Sequence, residues 1–168
     1  MNRITAALVA GVVALALVAP ASAGDGPPAT NLRHRGRAIQ KGALGSYCWS
    51  YPAGSDGTAA TKCADGTWYF PRAAMAAPGG FRIRIRKRAR PTEWGIWAYR
   101  RVRRGEGWVE PVGPATRIPH RLRRFEVDGR TVAWDAIFRL REDDRHYYIS
   151  ASGEWDQGDA HYTFHVRT

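Results

Sequence analysis

Cysteine is scarce in this sequence, with two residues, Cys48 and Cys63, in a chain of 168. Two cysteines are too few for a disulfide-dense miniprotein or for a zinc module with four cysteine ligands. The chain is also too short for two ordinary domains, and its 44% hydrophobic and 11% aromatic residues are not typical of a disordered protein. These counts predict one globular domain.

Recognised catalytic motifs are also missing. The sequence contains no nucleophile elbow of a serine hydrolase, no His-Glu-x-x-His motif and no glycine-rich strand-to-helix loop of a nucleotide enzyme. No serine belongs to a motif that pairs it with a histidine and an acid. The sequence therefore predicts no catalytic residue, no metal ligand and no cofactor, and we expect a protein that is not an enzyme.

Two pairs of titratable residues near the end of the chain resemble sites without predicting one. His161 and His165 would lie about 13 Å apart on a strand, too far for one zinc ion at ~2 Å from each nitrogen. Both are expected to face solvent. Glu154 and Asp156 would share a strand face about 7 Å apart, as in inverting glycosidases, but any acidic i, i+2 pair on a strand has that spacing. We expect these acids to face water.

Long apolar runs are absent except at the start of the chain. Residues 1–23 contain Arg3, an apolar run over 4–19 and a small-x-small cleavage site that ends at Ala23. These are the three parts of a secretory signal peptide. A transmembrane anchor is the alternative, but the run is shorter than the ~20 residues of a span. The sequence predicts cleavage after Ala23, an extracellular location and no stable membrane span afterwards.

Export determines how the two cysteines are interpreted. In an oxidising compartment, Cys48 and Cys63 are expected to form a disulfide with each other. A redox site and half of a metal site are the alternatives. Both are disfavoured, because the spacing is not Cys-x-x-Cys and no further ligands lie at zinc spacing.

Apolar and polar residues alternate over much of the chain from residue 36 onward. The clearest segment is 81–86, where Phe and Ile alternate with Arg, and 131–140, 147–155 and 160–167 follow the same period of two. A short connection at 157–159 predicts a terminal antiparallel hairpin. Segment 131–140 also fits a helical stripe, and 67–70 is a weaker strand candidate.

These segments predict an all-β fold. Seven to nine short antiparallel strands over 36–168, without a long amphipathic helix, are typical of a single β-sandwich or a small barrel. Residues 24–35 are rich in Gly and Pro and lack periodicity, so we expect a flexible leader there.

Several short patterns together resemble a group of small secreted bacterial β-sandwich proteins without an assigned activity. They are Gly-Ser-Tyr-Cys-Trp at 45–49, Cys-Ala-Asp at 63–65, Pro-Gly-Gly at 78–80 and the alternating segment 155–166. The resemblance implies secretion, a bridge between the two cysteines and an immunoglobulin-like sandwich. It provides no catalytic residues, and the arginine content of this chain is not part of it.

Acidic residues are nearly absent from 81–104, where Glu93 stands against ten basic residues, whereas acids concentrate from residue 142 onward. If the two strands of this window pair, their outward faces form a continuous cationic surface that attracts phosphates or carboxylated polymers. A row of solvated arginines that merely protects a strand is the alternative. The candidate anion-binding residues are Arg82, Arg84, Arg86, Arg100, Arg101, Arg103 and Arg104.

Trp108 follows Gly-Glu-Gly and is the aromatic residue that we expect on an exposed loop, where it could stack on a ligand. Because the protein is expected outside the cell, specific nucleic-acid binding is disfavoured. The sequence predicts a secreted, non-enzymatic β-sandwich protein that binds an anionic cell-envelope polymer or a protein partner through an arginine-rich face. The alternative is a secreted enzyme or enzyme inhibitor without a recognisable motif.

Overall fold

The computed structural model describes residues 26–53, 58–66, 68–106, 108–142 and 145–168, and within them the chain forms fourteen strands and no helix. The predicted signal peptide and its cleavage site lie outside the described residues. The strands are β1 (Thr30–His34), β2 (Arg37–Lys41), β3 (Ala43–Tyr51), β4 (Ala60–Ala64), β5 (Ala74–Met75), β6 (Gly79–Ile85), β7 (Glu93–Tyr99), β8 (Arg101–Gly105), β9 (Trp108–Val112), β10 (Thr116–Arg117), β11 (Arg121–Val127), β12 (Arg130–Leu140), β13 (His146–Trp155) and β14 (Gly158–Arg167).

The strands form two large sheets and one separate hairpin. The first sheet has the order β11-β12-β6-β1-β2, and the second has the order β10-β7-β13-β14-β3-β4. Neighbouring strands in both orders are antiparallel, while β5 joins the end of β14 in parallel. Strands β8 and β9 pair only with each other.

One hydrophobic core receives the apolar faces of both sheets, which gives a sandwich-like arrangement whose sheets are not closed. Each buried Ile, Leu or Phe side chain contributes roughly 1.5–3 kcal/mol through the removal of apolar surface from water. Core residues from the first sheet include Leu32, Phe81, Ile83, Ile85, Ala136, Phe138 and Leu140, and those from the second include Trp49, Ile96, Ile149, Ala151, Tyr162, Phe164 and Val166. The predicted all-β fold is confirmed.

Strands β13 and β14 form the predicted terminal hairpin. Their register runs from His146 opposite Arg167 to Trp155 opposite Gly158, so two residues form the turn. Gly158 has φ of +142°, and a Cβ atom there would overlap the carbonyl oxygen of Cys48 on β3. Only glycine therefore allows β3 to approach this end of the hairpin.

The predicted flexible leader is wrong for residues 30–34. These residues form β1, which lies between β6 and β2, and Leu32 is completely buried. Thr30 is also buried, so this short segment already has its apolar and small side chains in the core. Five residues are too few for a visible alternation after a Gly- and Pro-rich stretch.

The structure also changes the number and the bounds of the strands. Fourteen strands replace the expected seven to nine, because several are short: β5 and β10 have two residues each. Segment 131–140 is strand β12 rather than a helix. Residues 68–70 are not a strand. They lie instead against the outer face of the second sheet.

The predicted disulfide is present. Cys48 on β3 lies directly opposite Cys63 on β4, and their Cα atoms are 4.0 Å apart. Strand β4 is the edge of the second sheet and is mostly exposed, so few apolar contacts hold it in place. This disulfide is compatible with an extracellular location.

No helix capable of crossing a membrane occurs in the part of the chain that the structure describes.

Candidate anion-binding surface

The arginine-rich window 81–104 does not form one surface. Strand β6 has β12 and β1 as its neighbours, β7 belongs to the other sheet, and β8 pairs with β9. The expected pairing of two strands within this window is therefore wrong. Both edges of β6 are already paired, by strands that lie far away in the sequence.

A cationic surface nevertheless forms on the outer face of the first sheet. Arg33 on β1 lies opposite Arg82, and Arg82 lies opposite Ile137, which in turn lies opposite Arg121. Arg84 and Arg123 both lie opposite Asp135. We call this surface the arginine face, and its members are Arg33, Arg82, Arg84, Arg121, Arg123 and Arg139.

Asp135 is the only acid among the described residues that pair directly with the arginine face. It is 4% exposed and accepts two hydrogen bonds from Arg84, with N–O distances of 2.8 and 2.9 Å. Arg82 donates a longer bond of 3.4 Å to the same carboxylate. One carboxylate therefore compensates two adjacent arginines and leaves a positive surface.

Arg84 is held from a second side by an aromatic ring. Its guanidinium carbon lies 3.4 Å from the centre of the Phe125 ring, a cation–π contact. The Arg84 side chain is only 14% exposed, whereas that of Arg82 is 43% exposed. Arg84 therefore has a mainly structural position, and Arg82 retains access to solvent.

A cleft of about 650 Å³ lies beside the arginine face. Arg33, Arg84 and Arg86 line it together with Phe125 and the segment 26–29, and none of the described lining residues is acidic. Arg84 is already bonded to Asp135, so Arg33 and Arg86 are the groups in this cleft that can hold a phosphate, sulfate or carboxylate through charge-assisted hydrogen bonds.

The other predicted arginines lie away from this face. Arg100 bonds to Glu142 at 2.5 Å, and Arg103 on the β8–β9 hairpin bonds to Glu110 at 2.6 Å. Arg101 and Arg104 are exposed on β8. Of the seven candidates, Arg82 and Arg84 belong to the arginine face and Arg86 to the adjoining cleft. Trp108 is the first residue of strand β9, opposite Gly105, and does not lie on a loop as expected. Its side chain lies outside what the structure describes, so its stacking role stays a prediction.

Four members of the arginine face were not among the seven sequence candidates: Arg33, Arg121, Arg123 and Arg139. Arg33 falls in the segment predicted to be a leader, and Arg139 lies at the end of β12 outside the dense window. Only the strand order brings them beside β6. A pairing of 131–140 with 81–86 would have indicated Arg139, because both segments alternate with the same period.

The two histidines expected to face solvent are covered instead. Residues 68–71, which we call the strap, lie across the outer face of β14: the Trp68 ring is 4.7 Å from the His161 ring, and the Pro71 carbonyl is 3.2 Å from His165 Nδ1. His165 is 5% exposed. The alternation placed these histidines on the correct side of the strand, but did not show that a loop covers that side.

The covered face contains a serine–histidine pair, but no catalytic arrangement. Ser150 Oγ lies 2.7 Å from His161 Nε2. Ser150 is only 4% exposed, and no carboxylate of the described residues bonds to the His161 ring. Burial lowers the pKa of His161. A nucleophile needs substrate access and an oriented base, and this pair has neither.

Glu154 and Asp156 do not share a strand face, because β13 ends at Trp155 and Asp156 belongs to the turn. Both are exposed, as expected. Within the described residues, no group of three His, Cys, Asp or Glu side chains could hold a metal ion.

The chain matches no protein-family model, no curated protein and no solved structure.

Proposed function

We propose that the protein is a secreted, non-enzymatic binding protein that holds an anionic cell-envelope polymer on the arginine face. The observation that carries this proposal is the convergence of six arginines from four adjacent strands around one buried carboxylate. Secretion with cleavage after Ala23 is part of the proposal, and the disulfide supports it.

The spacing of the arginine face favours a polymer with repeated charges. Neighbouring strands are about 4.8 Å apart, and alternate residues on one strand are about 7 Å apart. A flexible chain with one anionic group in each unit can contact several such cations at once. Release of condensed counterions would then favour binding at low salt.

Specific recognition of single-stranded nucleic acid has less support on this surface. Such recognition uses exposed aromatic rings on which bases stack. Phe125 is the aromatic residue beside the arginine face, and the Arg84 guanidinium already covers its ring. A phosphate- or carboxylate-bearing polymer needs no stacking and is the better match.

The test measures binding of the purified protein to poly(glycerol phosphate) in a salt series. We expect the double variant Arg33→Gln/Arg123→Gln to bind about tenfold more weakly, with a smaller dependence of affinity on salt. The matched control, Arg101→Gln/Arg104→Gln, removes the same charge from the β8–β9 hairpin and should bind nearly as well as the parent. Equal losses in the two variants would mean that net charge alone causes binding, and would overturn the proposal.

A further inference from the structure

A second, larger cleft opens where the chain passes from one sheet to the other. Its volume is about 970 Å³. Strand β10 pairs with β7 in the second sheet, and after residues 118–120 the chain enters β11 of the first sheet. The cleft lies between this crossing segment and the end of β12.

The floor of the cleft is apolar. It includes side chains from both sheets and from the crossing segment, so that apolar atoms line its inner wall. These residues are Ala98, Ile118, Phe138, Leu140 and Tyr147. The floor thus differs from the arginine face, which presents mainly guanidinium groups.

The rim of the cleft is cationic. Arg117, Arg121, Arg139 and Arg141 line it and are exposed, and none of the four forms an ion pair with a carboxylate of the described residues. Among the described residues, Glu142 is the one acid that lines the cleft, and Arg100 and Arg145 both contact it. The rim is therefore available to an external anion.

We propose that this cleft binds an anionic amphiphile, a molecule with one phosphate or carboxylate head and one alkyl or acyl chain. The arginine rim holds the head, and the chain lies on the apolar floor. A polyanion has no group for this floor, and a neutral apolar molecule has none for the rim. Arg121 and Arg139 belong to both the cleft and the arginine face, whereas Arg117, Arg141 and the apolar floor belong to the cleft alone. The proposed binding of an amphiphile therefore depends on groups that the proposed polymer binding does not use.

Gly80 offers a way to block the cleft. It lines the cleft opposite Arg139, and a Cβ atom added to it would meet nothing within 4 Å. Its φ is also outside the left-handed region. Gly80→Trp should therefore place an indole at the rim of the cleft, beside Arg139, without strain in the backbone.

The test measures calorimetric binding of hexyl, octyl and decyl phosphate below their micelle concentrations. We expect affinity to rise about fourfold for each methylene group that becomes buried. Inorganic phosphate and decanol each lack half of the ligand and should bind far more weakly. Decanoate tests whether a carboxylate head is equally effective, and therefore which head group the rim prefers.

Variants separate this site from the arginine face. Arg117→Gln/Arg141→Gln should weaken decyl phosphate binding about tenfold, while binding of poly(glycerol phosphate) stays within twofold. Gly80→Trp should abolish decyl phosphate binding. The control Arg33→Gln/Arg123→Gln should leave decyl phosphate binding unchanged. Affinity that is independent of chain length in the parent protein, or equal affinity for decanol and decyl phosphate, would overturn the inference even if a variant failed to fold.

Discussion

The Asp135 carboxylate stabilises the fold but reduces the positive charge of the surface proposed to bind the polymer. Asp135 is buried among arginines, and its carboxylate accepts the bonds that fix Arg84. Removal of one partner from a buried ion pair leaves the other charge without compensation. The same removal makes the surrounding surface more positive.

We therefore predict that Asp135→Asn lowers the free energy of unfolding by about 3 kcal/mol while it increases affinity for poly(glycerol phosphate). Urea denaturation and a binding titration at one salt concentration measure the two effects. Asp128→Asn is the control, because Asp128 is exposed in the turn between β11 and β12. Weaker polymer binding by folded Asp135→Asn would contradict the proposed role of the face.

The disulfide holds an edge element that has little apolar contact of its own. Cys63 belongs to β4, in which every residue before Ala64 is exposed. In the chain-entropy model, closure of a loop with a sequence separation of 15 is worth roughly 3 kcal/mol.

We predict that Cys48→Ser/Cys63→Ser loses about this amount of stability and that the amides of β4 lose protection before those of β13 and β14. Hydrogen exchange of the parent and the variant measures both effects. Uniform loss of protection across the second sheet would show instead that β4 is held mainly by its ladder with β3.

The strap makes the second sheet sensitive to acid. The pKa of His165 is lowered by burial first, and then by His146 and Arg104, although the hydrogen bond with the Pro71 carbonyl acts in the opposite direction. Burial also lowers the pKa of His161. In the unfolded chain both histidines have ordinary pKa values near 6.5, so the unfolded state binds more protons below that pH.

The stabilisation from neutral histidines is therefore complete above about pH 6.5 and is lost as the pH falls through their lower folded values. We predict that the free energy of unfolding decreases between pH 7.5 and pH 5. His161→Gln/His165→Gln should reduce this slope, as measured by urea denaturation at each pH. An unchanged slope would assign the acid sensitivity to other groups.

Strands in which apolar and polar residues alternate along the chain could be predicted from the sequence, because the alternation itself shows which side is buried. Strands β6, β12, β13 and β14 alternate along their length, and a short turn identified the last hairpin. Strand β1 escaped prediction because five residues contain too few alternations. The arginine face was predicted only in part, because Arg33 and Arg139 reach Arg82 and Gly80 through pairings that span dozens of residues. The immunoglobulin-like topology implied by the resemblance stays a prediction.

On the scale of the whole molecule, charge is divided between the two sheets. The arginine face belongs to the first sheet, whereas Glu154 of the second sheet lies opposite both Glu93 and Asp159. The net charge of +11 is therefore not spread evenly. A polyanion would be attracted to the arginine face of the first sheet and repelled by these acids of the second sheet, which favours one orientation of the proposed binding.

We predict that salt distinguishes the two proposed sites. An increase from 50 to 500 mM salt should weaken poly(glycerol phosphate) binding by several orders of magnitude, because many exposed charges are screened together. Decyl phosphate should lose much less affinity, since burial of its chain does not depend on charge. Calorimetric titrations across this range measure both, and parallel losses would contradict a separate apolar contribution in the cleft.

The strap also divides the surface into positions that tolerate mutation and positions that do not. Arg82 and His161 both point away from the core on alternating strands, yet only the second lies beneath a loop. A saturation library should accept most polar residues at position 82, apart from acids beside Asp135, and few at 161, 163 or 165. During evolution, substitutions on the outer side of the first sheet can change which ligand it binds without disturbing other contacts. Substitutions on the outer side of the second sheet must also preserve its packing against residues 68–71.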